Sequence, residues 1–385
     1  MHLIFEAMLL SPDLIVCSIF FLFVFIQLFY YLFFFARLAW GKKEIDPISA
    51  PQYPVSIIVC AYNEEANVRK NLPLLLNQEY SKNGKPFFEV LVVNDNSEDD
   101  TIYLLNEMQE KYPNLHVVNL TQEAKLIPGK KFPLSMGIKS AHCEHMLLTD
   151  ADCIPASNLW LAKMAANFSK TKKIVLGFSP YAKHPGWLNK KIRFETAHSA
   201  MQYLSYAMAG IPYMGVGRNL AYTKTLFQQN KGFSSHHHLL SGDDDLFINQ
   251  VSKASNTAVC VDADSFTYSE PKKTNEEWRY QKRRHLSTGT SYKAKHKFLL
   301  GGYAFSHFAV WAMLIPCILF PEFLLLTGLA FAFRWLVMWF IFQRCFKVLM
   351  QKDLVNYIWI FDAWLLLYNL RSIPSIFFKP KVSWK

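Results

Sequence analysis

The stretch Glu144-His-Met-Leu-Leu-Thr-Asp-Ala-Asp-Cys-Ile-Pro155 decides how the rest of the chain is read. Residues 146–148 are a short apolar run, and at that length they read as a buried strand. The run stops at Thr149, and two carboxylates follow, Asp150 and Asp152. Residues two apart in extended backbone point the same way. Both carboxylates can therefore face one point just past the C-terminal end of the strand, where ligands bind in an open α/β sheet. Hard oxygen ligands suit Mg²⁺ or Mn²⁺, and a site with few protein ligands leaves positions for phosphate oxygens. The stretch predicts a metal–nucleotide site. The alternative, a solvated loop capping a helix near Leu159, is weighed by what surrounds it.

Upstream, residues 51–54 form a linker. Residues 55–60, Val-Ser-Ile-Ile-Val-Cys, are a continuous strand of the kind buried on both faces of a parallel sheet. The strand ends in Ala61-Tyr-Asn-Glu-Glu65, a polar turn opening a helix through about residue 78. Asn63 is its expected N-cap, and Pro73 is expected to kink or restart it. Residues 87–93 are a second strand, ending in Asn94-Asp-Asn-Ser97. Glu98, Asp99 and Asp100 follow, expected in a first helical turn where the helix dipole favours them. Residues 115–118 are a third strand, and Pro128-Gly-Lys-Lys131 precedes a helix to about Ser140. This alternation predicts an α/β fold with a parallel, doubly wound sheet. No Gly-x-Gly-x-x-Gly follows the first strand, which argues against a dinucleotide site.

Downstream, residues 174–178 read as a strand and 188–208 as a helix. Gly215-Val-Gly-Arg-Asn-Leu-Ala-Tyr222 is a glycine-flexed segment entering a strand. Ser241-Gly-Asp-Asp-Asp-Leu-Phe247 sets three carboxylates, Asp243, Asp244 and Asp245, at the start of a helix. Residues 276–286 form another helix, containing Gln281-Lys-Arg-Arg-His285.

Hydrophobic residues make up 51% of the 385, with 32 Phe, too much for one soluble core. The excess is localised. Residues 14–38, 298–320 and 323–342 are each long enough to span a bilayer, the last two separated by Pro321 and Glu322. The first has no small-residue cleavage site and reads as a retained anchor. A fourth stretch, 354–378, carries Asp362, Arg371 and Pro374, which are costly at mid-bilayer. It is expected to be interfacial or re-entrant. Arg37, Lys42 and Lys43 after the first run, and Arg344, Lys347 and Lys352 after the third, place those ends and the intervening domain in the cytoplasm. The tail lysines Lys379, Lys381 and Lys385 prefer the same side. The expected division is an anchor and linker over 1–50, a soluble domain over 51–297 and a membrane region over 298–385.

Seven Cys, an odd number with no Cys-x-x-Cys, give neither a disulfide framework nor a zinc site and fit a reducing cytosol. The net charge of +11 is concentrated between residues 272 and 297, where nine Lys or Arg face only Glu276 and Glu277. Beside membrane helices, anionic headgroups are the ordinary partner of such a run; a phosphate-bearing substrate is another. Nucleic acid would explain the basic run but not the ordered acidic motifs.

Five signals stand in one order: the turn at Asn63-Glu64, Asn-Asp-Asn-Ser, Asp-x-Asp, Gly-Asp-Asp and Gln-x-x-Arg. Together they resemble the inverting family 2 glycosyltransferases, the membrane-bound kind that includes cellulose and hyaluronan synthases and many lipid-linked glycosyltransferases. The resemblance covers about residues 52–290. It implies a GT-A nucleotide-sugar-binding domain that uses Mn²⁺ or Mg²⁺, a UDP- or GDP-sugar donor and a lipid or glycan acceptor, in a bacterial inner membrane. By motif match, Asp95, beside the turn from Ala61 through Asn63 and Glu64, recognises the nucleobase, and Lys130 lies near the nucleotide-sugar. Asp152 with Asp150 holds the metal, Asp244 is the catalytic base, and Gln281 and Arg284 meet the diphosphate and acceptor. The family has Trp where this chain has His285, which disfavours processive polymerisation and leaves transfer intact. A subunit of a processive polysaccharide synthase is the competing reading.

The residues support that chemistry on their own terms. Breaking a sugar–diphosphate bond requires charge stabilisation of the leaving group, which a divalent ion and a bidentate Arg284 can supply. The acceptor hydroxyl needs a general base, and a carboxylate among Asp243–Asp245 has its pKa raised by its neighbours. Spacing alone does not rank the three. The tract His236-His-His238 reads as loop, because adjacent residues point in different directions. For Lys130 and Lys131 the alternative reading is ordinary surface charge.

Overall fold

A computed structural model describes residues 11–41, 52–121 and 129–377. Lys42, Lys43, Pro51, Pro128 and the three tail lysines lie outside these. The centre of the molecule is a seven-stranded sheet with strands β1 Val55–Ala61, β2 Phe88–Asp95, β3 Leu115–Leu120, β4 His145–Asp150, β5 Ile174–Leu176, β6 Leu220–Thr223 and β7 Thr257–Val259, in spatial order β7-β5-β6-β4-β1-β2-β3. β3, β2, β1 and β4 run parallel, as their apolar runs predict. β6 is antiparallel to both β4 and β5, so the sheet is mostly rather than wholly parallel. β7 and the small pair formed by Cys153–Pro155 and Thr267–Ser269 are three-residue strands, too short to carry a period in sequence.

The side chains of β1 alternate between two cores. Val55, Ile57, Val59 and Ala61 pack against α2 (Glu65–Leu76) and α3 (Thr101–Lys111) through Val68, Leu72, Leu104 and Leu105. Ile58 faces the opposite core, with Leu134 and Ile138 of α4 (Lys131–Ser140) and much of α5 (Trp187–Met208). That second core continues without a break into the long apolar helices, through Tyr30, Phe34, Phe35, Phe342 and Phe346. About 25 cal/mol per Å² of apolar area buried there is shared between the two parts of the chain.

Among the described residues three helices are long and apolar enough to cross a membrane: α1 (Pro12–Trp40), α8 (Ala294–Cys317) and α9 (Pro321–Val348). Pro321 sits in the first turn of α9, where its missing N–H has no helical partner to lose. The fourth apolar stretch is α10 (Ile358–Phe377), which follows a short 3₁₀ turn and is not among the three spans. Its Asp362 makes a bidentate pair with Arg334 of α9 at 2.7 and 3.1 Å, and His307 Nε2 of α8 lies 2.9 Å from Asp362 Oδ1. Arg334 also donates to Gln27 and Tyr31 of α1 at 3.0 and 2.9 Å. Of the groups expected to be costly, Asp362 is thus paired, with Arg334 as its counter-ion, whereas Arg371 is in no ion pair among the described residues.

Three local expectations change. Asn63 is not an N-cap: α2 begins at Glu65 after Glu64, and Asn63 takes a left-handed φ of 54°. Its Oδ1 accepts the Glu98 amide at 2.8 Å and its own amide donates to Ser97 Oγ at 3.0 Å, tying the β1 and β2 turns together. Pro73 does not restart α2, which runs through it and ends at Leu76. Glu98, Asp99 and Asp100 precede α3 rather than filling its first turn; Asp99 Oδ1 accepts the Thr101 amide at 3.1 Å.

Candidate active site

β1, β2 and β4 end side by side at Ala61, Asp95 and Asp150, all on the C-terminal edge of the sheet. Asp95 is buried. Asp150 stands in register with Cys60. Lys130, just before α4, donates its ammonium to Asp150 Oδ1. The Cys60 thiol, pushed up to about 12 by burial, feels Lys130, Asp150, Asp243 and Asp95 together, which puts four expected site residues around the end of β1.

The Asp-x-Asp pair is electrostatically unequal. Burial would raise the Asp150 carboxyl, but Lys130, then Arg218 and Arg284, outweigh it and hold the group below its usual range. Asp152 is raised, by burial first and then by the charge of Asp150. Carboxylate oxygens of both, and Cys153 Sγ, lie within 4.8 Å of one another. Burial pushes the Cys153 thiol to about 12, and its sulfur lies 3.1 Å from Ser269 Oγ. A neutral thiol is a poor partner for a hard cation. The donor set that fits Mg²⁺ or Mn²⁺ is Asp150 and Asp152, whose mutual repulsion a divalent ion relieves.

Asp243, Asp244 and Asp245 reach the same edge through a turn that requires glycine. Gly242 has φ 103°, and a Cβ there would meet Leu246 Cδ1 at 2.5 Å. The three acids then diverge. Asp245, first residue of α6 (Asp245–Val251), is buried, and its Oδ2 accepts from Tyr292 at 2.7 Å and from Thr288, while Oδ1 accepts the Leu246 amide at 2.7 Å. Asp244 is half-buried; its Oδ2 accepts the Gly217 amide at 2.8 Å and its Oδ1 the Asp245 amide at 2.7 Å. Burial, then Asp243 and Asp245, push its carboxyl up to about 7. Asp243 is half-buried and close enough to act on Lys130.

Two residues assigned no site role from the sequence help hold this arrangement. Lys131 is fully buried, and its ammonium donates to the carbonyls of His236 (3.0 Å), Ser241 (2.6 Å) and Leu239. It clamps the loop that delivers the acidic triplet, so it is not surface charge. Arg218, on the glycine-flexed turn before β6, acts on both Asp150 and Asp152 while donating to Ser179 O at 3.0 Å. Its signal in sequence was a cation directly after two glycines, Gly215 and Gly217, ahead of a strand. The neighbouring Asn219 fixes that turn: it donates to Phe178 O and Ser265 O at 2.8 and 2.7 Å and accepts from Trp160 Nε1 at 3.1 Å.

Gln281 and Arg284 lie on α7 (Asn275–Leu286), which opens with a full capping box between Thr274 and Glu277. Arg284 acts on Asp150, so α7 meets the Asp-x-Asp edge. Gln281 Oε1 is buried without a hydrogen-bond partner among the described residues. Lys282 leaves the site and pairs with Glu195 of α5. His285, at the family's Trp position, is exposed. Glu64 lies beside the site as a brace: its amide donates to Thr101 Oγ1 at 3.0 Å and its carboxylate accepts from Asn67 at 2.5 Å. His236 is buried in a 3₁₀ turn while His237 and His238 are exposed, so the tract diverges as expected of a loop.

Comparison with known proteins bears on the whole arrangement. The probable glycosyltransferase YdaM of Bacillus subtilis is 35% identical over 101 residues, 26% of this chain and 23% of that protein. The beta-monoglucosyldiacylglycerol synthase of Nostoc sp. is 38% identical over 127 residues, 33% of this chain and 25% of that protein. The matches span about a quarter of those relatives' length. In structure, the mannosyltransferase PcManGT from Pyrobaculum calidifontis, solved with GDP-Man and Mn²⁺, is 19% identical with a TM-score of 0.56, covering 90% of this chain and 99% of that one. That likeness shows the fold, which is GT-A-like, with a mostly parallel sheet. Residues 56–235 match the family described as Glycosyl transferase family 2. By this match, residues 56–235 of the chain form a family 2 glycosyltransferase domain.

Proposed function

We propose that the chain is a membrane-bound inverting glycosyltransferase that moves a sugar from a UDP- or GDP-sugar to a lipid or cell-envelope glycan acceptor. The observation that carries this reading is the convergence of Lys130, Arg218 and Arg284 on Asp150, with Asp244 close to the same edge. In this reading Asp244 takes the proton of the acceptor hydroxyl. The oxygen attacks the anomeric carbon as the bond to the diphosphate breaks, and the nucleoside diphosphate leaves. One displacement inverts the centre. Lys130, Arg218 and Arg284 stabilise the charge that gathers on the leaving group. Asp150 and Asp152 would hold a Mg²⁺ or Mn²⁺, which supplies Lewis-acid charge to the diphosphate. The GDP-Man and Mn²⁺ of PcManGT and the lipid product in the name of the Nostoc synthase agree with this donor, metal and acceptor class.

Asp95, with the Ala61–Glu64 turn, is assigned to the nucleobase, and Gln281 to the acceptor side. Residues 51–297 form the cytoplasmic catalytic domain between the anchor over 1–50 and the membrane region over 298–385. With His285 in place of Trp, single transfer is favoured over polymer synthesis. The test is purified full-length protein incubated with a panel of nucleotide-sugars and Mn²⁺, reading released nucleotide with and without extracted membrane lipid. Release from one UDP- or GDP-sugar, stimulated by lipid, is expected. No release from any donor under either condition would overturn the reading.

A further inference from the structure

The face of α7 turned away from the reaction edge lines a second cavity. Gln281 and Arg284 fall on one side of the 3.6-residue helix and Arg279 and Arg283 on the other, with Trp278 between. Trp278, Arg279 and Arg283 border a cavity of about 480 Å³ between α7, α5 and α10. Lys191 and Arg371 complete a group of four cations with Arg279 and Arg283. Among the described residues none of the four is in an ion pair, whereas Lys282 beside them is neutralised by Glu195. The floor is aromatic and stiff. Trp278 stacks on Trp364 and Tyr368 of α10 with ring centroids 6.1 and 5.9 Å apart. Leu367 and Leu370, on the same helix, are exposed.

Four unneutralised cations around one cavity repel each other and fit an anion. Exposed leucines on the helix that forms its wall fit an anion carrying an acyl chain. We propose that this cavity seats the phosphate headgroup of an anionic glycerophospholipid from the surrounding bilayer. The lipid binds on the face of α7 opposite Gln281 and Arg284, so it steadies the helix that presents them without entering the reaction. The inference rests on membrane insertion by α1, α8 and α9 and not on the chemistry at the Asp-x-Asp edge, so either can fail without the other.

The test is calorimetric titration of the full chain, purified in an uncharged detergent, with dihexanoyl-phosphatidylglycerol, dihexanoyl-phosphatidylcholine and inorganic phosphate. One phosphatidylglycerol per chain is expected, at least about tenfold tighter than phosphatidylcholine, because each nearby Lys or Arg favours an anionic headgroup. The paired variant Arg279→Gln, Arg283→Gln is expected to weaken that binding at least about tenfold with thermal unfolding unchanged. If that pair does not fold, Lys191→Gln with Arg371→Gln reads the same cavity from α5 and α10. Equal affinity for the two lipids, or undiminished binding in a folded variant, overturns the proposal. Inorganic phosphate binding as tightly as the lipid overturns it too, and makes the cavity a free-phosphate site.

Discussion

Asp244 accepts the Gly217 amide at 2.8 Å, linking the acidic triplet to the turn that carries Arg218. The proposed base and a cation facing the Asp-x-Asp pair are therefore positioned by one another. Asp244→Asn keeps the shape and cannot accept a proton. It is expected to lower kcat by about 10² or more with donor Kd little changed. Asp245→Asn disturbs the acceptor of Thr288, Tyr292 and the Leu246 amide, so its main effect is a loss of about 1–3 kcal/mol of stability. Turnover, donor affinity and thermal unfolding of the two variants and Asp243→Asn, measured side by side, check this. Turnover lost in Asp243→Asn and kept in Asp244→Asn would reassign the base.

The same carboxyl sets a pH dependence. Its pKa is raised to about 7 by burial and by Asp243 and Asp245, and only the deprotonated form accepts a proton. kcat is expected to climb as pH rises through about 7 and level off above it. A pH–rate profile at saturating donor tests this, and a flat profile through neutrality contradicts it.

Asp152→Ala is expected to abolish Mn²⁺- or Mg²⁺-dependent binding of the nucleotide-sugar while the protein stays folded. Calorimetry with donor, with and without metal, reads it directly. Full activity in excess EDTA would remove the metal from the mechanism.

Lys131→Met leaves three carbonyls of the loop before the acidic triplet without their donor. The expected loss is about 3 kcal/mol of stability, with kcat falling more than donor affinity because the loop presents Asp243 and Asp244. Denaturation and kinetics of the variant decide it. Wild-type stability would mean that the clamp contributes nothing.

Cytoplasmic placement of the domain is checked with Asn83→Cys in the exposed loop between Lys82 and Lys85. An impermeant maleimide should label it only after the cells are permeabilised. Labelling in intact cells would invert the topology.

The sequence by itself determined the features whose physics is local. The run through Val55–Ala61 needs only its continuous apolar character to declare a strand covered on both faces, and Asp150 and Asp152 need only period-two geometry to point together. Three apolar runs of spanning length announce α1, α8 and α9. Partners distant in the chain were decided by tertiary structure alone. Lys130 and Lys131 are identical neighbours, yet one meets Asp150, 20 residues on, and the other meets carbonyls 105–110 residues on. The helix start between them rotates successive side chains by about 100° into different surroundings. Asp362 reads in sequence as a costly charge in an apolar segment; packed against α9 it has Arg334 as its counter-ion. The three adjacent acids cannot be ranked until Thr288 and Tyr292 saturate Asp245 and leave Asp244 at the edge. Burial and long-range pairing set the energy of a charge, and neither is a property of the residues beside it in sequence.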